Sequence, residues 1–388
     1  MDSPRPLFVT GLARSGTTLL ARLLRASDEV ELALDPFLPL FRSLRDALLR
    51  DADIDTVPPG APLQDHYFDP ARLRAFDALQ AGSAAVALDP AEWDRLLPSL
   101  ETRALQEAPE LTPLLAGLRG ETYEEVIANA LRAIGSTHGR SAYVGWKEVW
   151  IVDFLPALAR AFPDLRLVVI VRDPRAVLAS LAAMAESDPT QTAHPLSYAR
   201  HWRKQVACCE RYRADPELAP LLHLVSYEQL VSEPEPTLRT LCDFLGIAFD
   251  RAMLDPRWSG NSSFRERLEK IDATPVGQWR GRLEPAQVRL AELVCGPEMA
   301  LVGYEPTTAG SVDGVLEHLV ASDSWPVSWR TDLGDPERDY KRELGRLELL
   351  EGRHEPIEIR CAFLFEEVHR AIRHTLEQRR AWAPTSSR

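Results

Sequence analysis

Hydrophobic positions along the chain alternate between short continuous runs and helical stripes. Leu7-Phe8-Val9-Thr10 is an apolar run of strand length, and Gly11 to Thr17 follows it as a glycine-containing loop. Thr18 to Arg25 then places Leu19, Leu20, Leu23 and Leu24 on one helical face. The same rhythm returns at Ala142–Trp146 (strand), Phe154–Ala161 (helix), Leu165–Val171 (strand), Leu221–Ser226 (strand) and Pro236–Leu245 (helix). The Leu165–Val171 run is nearly all apolar, as a strand covered on both faces requires. Asp173-Pro174 supplies a cap and a first-turn proline for a helix after it. The pattern predicts an α/β fold of three layers, α/β/α, around a central parallel sheet with a P-loop-like opening.

Two stretches break that rhythm. Residues from about 37 to 140 are rich in Ala, Leu, Pro and charge, with helical stripes such as Tyr123, Val126, Ile127, Ala130, Leu131 and Ile134. Thr122 with Glu125 fits a capping box at the start of that stripe. This reads as a large helical insertion, either roofing a site or buttressing the fold. Residues 1–310 are expected to form one domain, and 311–388 a helical C-terminal extension. In the extension, Ile359, Ala362, Phe363, Phe365, Glu366, Val368, His369 and Ile372 suggest one amphipathic helix that packs on the core or makes a homodimer contact.

Composition narrows the function classes. The 388 residues are 45% hydrophobic and 27% charged, with a net charge of −13, which argues against nucleic acid as a partner. The five cysteines are an odd number with no Cys-x-x-Cys pair, as expected of thiols in a reducing compartment. The N-terminus lacks a signal-peptide pattern and no apolar run has membrane-span length, so a cytoplasmic location without membrane attachment is expected. No His/Cys/Asp cluster has metal-ligand spacing, and no metal is expected.

The candidate chemistry begins at Gly11-Leu12-Ala13-Arg14-Ser15-Gly16-Thr17-Thr18. Between a strand and a helix, backbone N–H groups of such a loop can converge on an anion, helped by the helix N-terminus. Its spacing matches the triphosphate-binding loop, but Thr17 stands where that loop has lysine. Arg14 brings positive charge inside the loop instead, which suits a single phosphate better than a triphosphate. A second candidate anion site is Arg172, at a strand's carboxyl end where α/β sheets bind ligands, with Ser180 about two turns into the next helix. By itself such an arginine can equally be a structural ion pair.

Together these segments resemble the sulfotransferase family that uses 3′-phosphoadenosine 5′-phosphosulfate (PAPS). The Arg-Ser-Gly-Thr-Thr loop is similar to its 5′-phosphosulfate loop, and Arg172 and Ser180 to its 3′-phosphate site. The likeness extends to Ser226-Tyr227-Glu228-Gln229-Leu230-Val231, Phe244-Leu245-Gly246-Ile247 and Gly277-Gln278-Trp279-Arg280. It implies that Arg14, Ser15, Gly16, Thr17, Thr18, Arg172, Ser180, Tyr227, Trp279 and Arg280 bind the cofactor. The pattern is closer to the tyrosylprotein and carbohydrate branches than to the phenol and steroid branch.

The resemblance also implies the reaction, in-line sulfuryl transfer to a hydroxyl or amine with release of adenosine 3′,5′-bisphosphate (PAP). A carbohydrate, a lipid, a peptide tyrosine or a secondary metabolite fits as the acceptor, and the expected cytoplasmic location favours a small molecule or carbohydrate. Lys147 is similar to the family lysine at the departing oxygen, and with Arg14 it would stabilise charge; a surface pair with Glu148 is the alternative. Asp35 stands where the tyrosylprotein branch carries its catalytic Glu, and Glu148 is the second candidate base. A simple turn cap before Pro36 is the other reading of Asp35. His66, His194 and His201 are remoter candidates, and Asn261-Ser262-Ser263 is either a polar contact or a plain loop. The rival functions are a P-loop-like kinase or NTPase and a catalytically inactive nucleotide-binding homologue.

Overall fold

The computed structural model describes residues 4–63, 70–136, 141–187, 195–255, 271–307, 336–352 and 358–382. His66, His194 and Asn261-Ser262-Ser263 lie outside the described residues. The chain divides into two compact units. One holds residues 1–65, 74–172 and 215–273, and the other 66–73, 173–214 and 274–388.

The first unit is built on the parallel sheet. Its strands are β1 (Arg5–Gly11), β2 (Val30–Leu34), β3 (Tyr143–Lys147), β4 (Arg166–Val171) and β5 (Leu222–Ser226), in the order β2-β3-β1-β4-β5. Every pairing is parallel, and the registers run nearly in step: Leu34 opposes Lys147, Val9 opposes Lys147, Gly11 opposes Ile170, and Val171 opposes Ser226. All five carboxyl ends therefore open on one edge.

Helices cover both faces, because alternate side chains along a strand point to opposite sides. On one face, α1 (Thr17–Arg25) joins α10 (Tyr227–Ser232) and α11 (Pro234–Leu245). Leu20, Leu24, Leu230 and Leu241 of these helices pack with Val9, Val168 and Ile170 of the sheet. On the other face, Phe8 and Trp146 meet edge to face at 4.8 Å, and Phe37 reaches the same indole at 4.6 Å. Phe41 bridges Trp146 to Phe154 just before α7 (Leu155–Ala161). The three-layer arrangement expected from the pattern is thus present.

The helical stretch between β2 and β3 comprises α2 (Leu38–Asp51), α3 (Pro70–Ala81), α4 (Pro90–Glu107), α5 (Thr112–Leu115) and α6 (Tyr123–Gly135). Thr122 caps α6 through its bond from the Glu125 N–H at 3.2 Å, but the Glu125 carboxylate turns back to the Glu121 N–H, so the box is half formed. Strand β2 was not anticipated: Val-Glu-Leu-Ala-Leu is short and follows Asp28-Glu29, so its strand character comes from pairing with β3. Lys147, expected just past a strand, is the last residue of β3.

The second unit contains α8 (Pro174–Ser187), α9 (Pro195–Arg213), α12 (Pro285–Met299), α13 (Pro336–Leu350), α14 (Ile359–Phe363) and α15 (Glu366–Trp382). The single amphipathic helix expected over 359–372 is two helices, because Leu364 takes a positive φ of 64° and turns the chain between them. Asp173 caps α8 as its sequence position suggested, accepting from the Arg175 N–H at 2.9 Å.

Buried charge ties α13 to this unit. Glu343 accepts from Arg200 Nε at 2.6 Å and pairs with Arg203, while Arg346 pairs with Glu298 and donates to the Ala362 carbonyl at 2.8 Å. Burial alone would raise the Glu343 pKa, but Arg203, Arg200 and Arg346 outweigh it and hold the carboxyl at about 2. Glu343→Gln is expected to destabilise the fold by about 3–5 kcal/mol, the cost of leaving buried guanidiniums without their counter-ion, measured by urea denaturation at neutral pH. Because the folded pKa lies below the ordinary 4.5, this contribution is complete above 4.5 and is lost as pH falls towards about 2. A denaturation series across that window should show the parent losing its advantage over Glu343→Gln.

Candidate active site

The loop after β1 lies at the carboxyl edge of the sheet, and its backbone is set by two left-handed residues. Arg14 has φ 72° and Gly16 has φ 93°. The Ser15 N–H returns to the Leu12 carbonyl at 3.0 Å, closing the turn, and Gly16 caps α1. A Cβ on Gly16 would stand 2.5 Å from the Tyr227 ring, so glycine is required both by conformation and by space. The Ser15 Oγ is buried with no hydrogen-bond partner among the described residues. Thr17 is buried and Thr18 half-buried.

Arg172, leaving β4, lies against this loop. Its Nη1 donates to the Arg14 carbonyl at 2.9 Å, and its guanidinium sits 4.2 Å from the centre of the Tyr227 ring. Such a stacked cation contributes about 0.5–2 kcal/mol and holds the planar fork in place. Burial raises the Tyr227 pKa, opposed by Arg172, so the phenol stays protonated. Arg14, Ser15, Gly16, Arg172 and Tyr227 are thereby brought together from three strand ends.

Beside them, the ends of β2 and β3 carry a compact set of charges. Asp35 follows β2 with φ 53°, and its N–H donates to the Lys147 carbonyl at 2.8 Å. Its Oδ2 accepts from Lys147 Nζ, while its Oδ1 is buried without a partner among the described residues. The expected alternative for Lys147, a surface pair with Glu148, is not what forms. Lys147 is buried and takes Asp35, whereas Glu148 accepts from the Phe37 N–H at 2.8 Å and from Arg103 at 3.2 Å. The physical reason is strand alternation: adjacent residues 147 and 148 leave β3 towards different neighbours.

Arg103, on α4, is the residue sequence reasoning missed. Its Nε donates to the Asp35 carbonyl at 2.6 Å while its Nη2 meets Glu148, so one guanidinium holds both candidate bases. Nothing in the local sequence marks it, since it is one arginine among many on a helical stretch. Burial pushes the Glu148 pKa up to about 8, with Asp35 adding to the rise and Arg103 and Lys147 opposing it. Glu148 therefore holds its proton at neutral pH and is poorly suited to be the base.

The remaining expected site residues belong to the second unit. Ser180 lies within α8 and is half-buried. Trp279 is buried among Ala176, Ala179, Leu283 and Val288, with Arg175 at 4.2 Å and Arg280 at 4.5 Å from its ring centre. His201 is buried in α9, in the second unit. No group of three or more His, Cys, Asp or Glu among the described residues has metal-binding geometry.

Two measurements follow from this geometry. Gly16→Ala should destabilise by about 1–3 kcal/mol, the cost of a strained non-glycine backbone. A double-mutant cycle with Tyr227→Ala, read by denaturation, should recover the part due to the ring contact. For Glu148, the folded pKa of about 8 exceeds the ordinary 4.5, so the fold binds a proton that the unfolded chain releases between those values. Stability should fall as pH rises through that window, and Glu148→Gln should flatten the slope in a pH-denaturation series.

A model of the sulfotransferase family matches residues 6–251. Protein-tyrosine sulfotransferase 1 of Danio rerio is 28% identical over 207 residues, covering 49% of this chain and 57% of that protein. Carbohydrate sulfotransferase 6 of Homo sapiens is 28% identical over 250 residues, covering 55% of this chain and 63% of that one. The chain spans about half the length of the curated relatives it matches. Among solved structures, the sulfotransferase domain from the Synechococcus PCC 7002 olefin synthase is 21% identical with a TM-score of 0.45, covering 79% of this chain and 97% of that one. These relatives include the tyrosylprotein and carbohydrate branches to which the motifs pointed. With residues 6–251 of its 388 matched by the family model, the chain belongs to the sulfotransferase family.

Proposed function

We propose that this protein transfers a sulfuryl group from PAPS to a hydroxyl or amine of a small-molecule or carbohydrate acceptor, releasing PAP. One observation carries the reading. The buried, unpartnered Ser15 hydroxyl sits in a glycine loop at the sheet's carboxyl edge, beside Arg172 held on Tyr227. A buried hydroxyl without a partner costs free energy that a phosphate oxygen in the loop would recover. Thr17 in place of the usual lysine disfavours the kinase or NTPase reading.

PAPS, when bound, supplies an activated sulfuryl group. The chain's own residues do the rest. Arg14, Ser15, Gly16, Thr17 and Thr18 form the anion cradle, and Arg172 adds a fixed positive charge. Ser180, Trp279 and Arg280 remain candidate contacts to the nucleotide. Lys147 is the side chain suited to stabilise charge on the departing oxygen. Asp35 Oδ1, buried and unpartnered, is the atom suited to take the acceptor's proton. Arg103 and the protonated Glu148 keep Asp35 in place. All five cysteines are buried as thiols, which fits a cytoplasmic location.

Arg172→Ala should weaken PAP binding by about 1.5–3 kcal/mol, the range for a charged hydrogen bond, read by calorimetry. Unchanged affinity would remove Arg172 from the site. Asp35→Asn should lower transfer of label from radiolabelled PAPS while sparing PAP affinity, and parent-level turnover in that variant would disqualify Asp35 as the base.

A further inference from the structure

The helical stretch between β2 and β3 contains a cleft of about 1120 Å³, larger than the ~300–1,000 Å³ of most small-molecule sites. It runs between α2 and α4, with Arg42, Ser43, Asp46 and Arg50 on one wall and Glu92 and Ser99 on the other. One end, at Arg42 and Ser99, lies near Arg103. Arg103 lies one helical turn beyond Ser99 on the same face of α4, and it holds the Asp35 carbonyl and Glu148. Arg42 stands at that end too, close to Arg103 and Glu148.

Among the described residues the lining has no aromatic side chain; it mixes apolar side chains such as Leu49, Ile54 and Leu96 with hydrogen-bonding groups suited to hydroxyls. It carries five carboxylates against three guanidiniums, an excess of negative charge. Several carboxylates are already engaged. Glu92 holds Arg50 at 3.0 Å and accepts from Ser43 at 2.8 Å, Asp46 holds Arg45 at 2.8 Å, and Asp89 caps α4. Asp53 and Asp55, at the far end, are exposed and have no side-chain partner among the described residues. At the inner end, Arg42 Nε is buried without a partner, a donor that an acceptor oxygen would satisfy.

We infer that this cleft is the acceptor site and that it takes a hydroxyl-rich molecule bearing a cationic amine, such as an aminocyclitol or amino sugar. The ammonium meets Asp53 and Asp55 at the outer end, and a hydroxyl oxygen meets Arg42 at the end beside Arg103. Acidic acceptors are turned away by the excess negative charge. The inference deepens the sulfuryl-transfer reading and rests on it only for the fate of the bound hydroxyl.

The test is calorimetry on the full chain loaded with PAP, titrated with kanamycin A (an aminocyclitol glycoside), glucose and glucuronate. Kanamycin A should bind, and glucuronate at least tenfold more weakly. Asp53→Asn/Asp55→Asn should weaken kanamycin A at least tenfold and leave PAP affinity and the thermal midpoint unchanged. The charge-matched Glu233→Gln/Glu235→Gln, outside the cleft, should bind kanamycin A as the parent does. The inference is overturned by a PAP-competent protein that gives no heat with kanamycin A, or that binds glucuronate as tightly. Equal loss in both double variants overturns it as well, since binding would then reflect net charge alone. If PAP fails to bind while kanamycin A still depends on Asp53 and Asp55, the cleft stands and the nucleotide reading falls.

Discussion

In-step parallel pairing is the constraint from which the candidate site follows. Five strands running one way, with Leu34, Lys147 and Val9 at one level and Gly11 opposite Ile170, deliver their outgoing loops to a single edge. The bond from the Glu148 N–H to the Val9 carbonyl at 2.9 Å carries β3 alongside β1 to the last residue. Asp35, Lys147, Arg14, Arg172 and Tyr227 are scattered over more than 200 positions of sequence, yet each sits on, or within a few residues of, one of these strand ends. A parallel sheet needs crossovers, and here the longest crossover is the helical stretch that brings Arg103 back over Asp35 and Glu148.

At that edge, buried charges are settled in two crossed pairs. Lys147 compensates Asp35, Arg103 donates to the protonated Glu148, and Asp35 Oδ1 is left without a partner among the described residues. Two carboxyls in such proximity divide their roles: one keeps its proton, and the other is tied to a lysine. The left-handed backbone at Arg14 and Asp35 belongs to the same economy of space. Non-glycine residues adopt that conformation where surrounding contacts hold them, as the Arg172 and Arg103 bonds to their carbonyls do.

The second unit uses buried ions differently. Arg200 and Arg203 of α9 meet Glu343 of α13, and Arg346 meets Glu298 of α12. These pairs hold segments far apart in sequence in one arrangement, so α13 is a working part of that unit's interior. The amphipathic stripe read over 359–372 is real, but it is divided at Leu364, where a left-handed residue redirects the chain.

Local patterning alone carried the α/β class, the strand–loop–helix opening and the glycine loop. Runs of apolar residues and helical stripes are local properties, and a phosphate loop is contiguous in sequence. The Arg172 strand end was legible for the same reason, and motif resemblance singled out Asp35 and Lys147 as candidates. Tertiary structure alone decided that Lys147 takes Asp35, that Glu148 is buried with Arg103, and that β2 is a strand. It also opened the cleft between α2 and α4. Ion-pair choice and burial depend on which surfaces meet across a hundred residues of chain, and no local periodicity encodes that meeting.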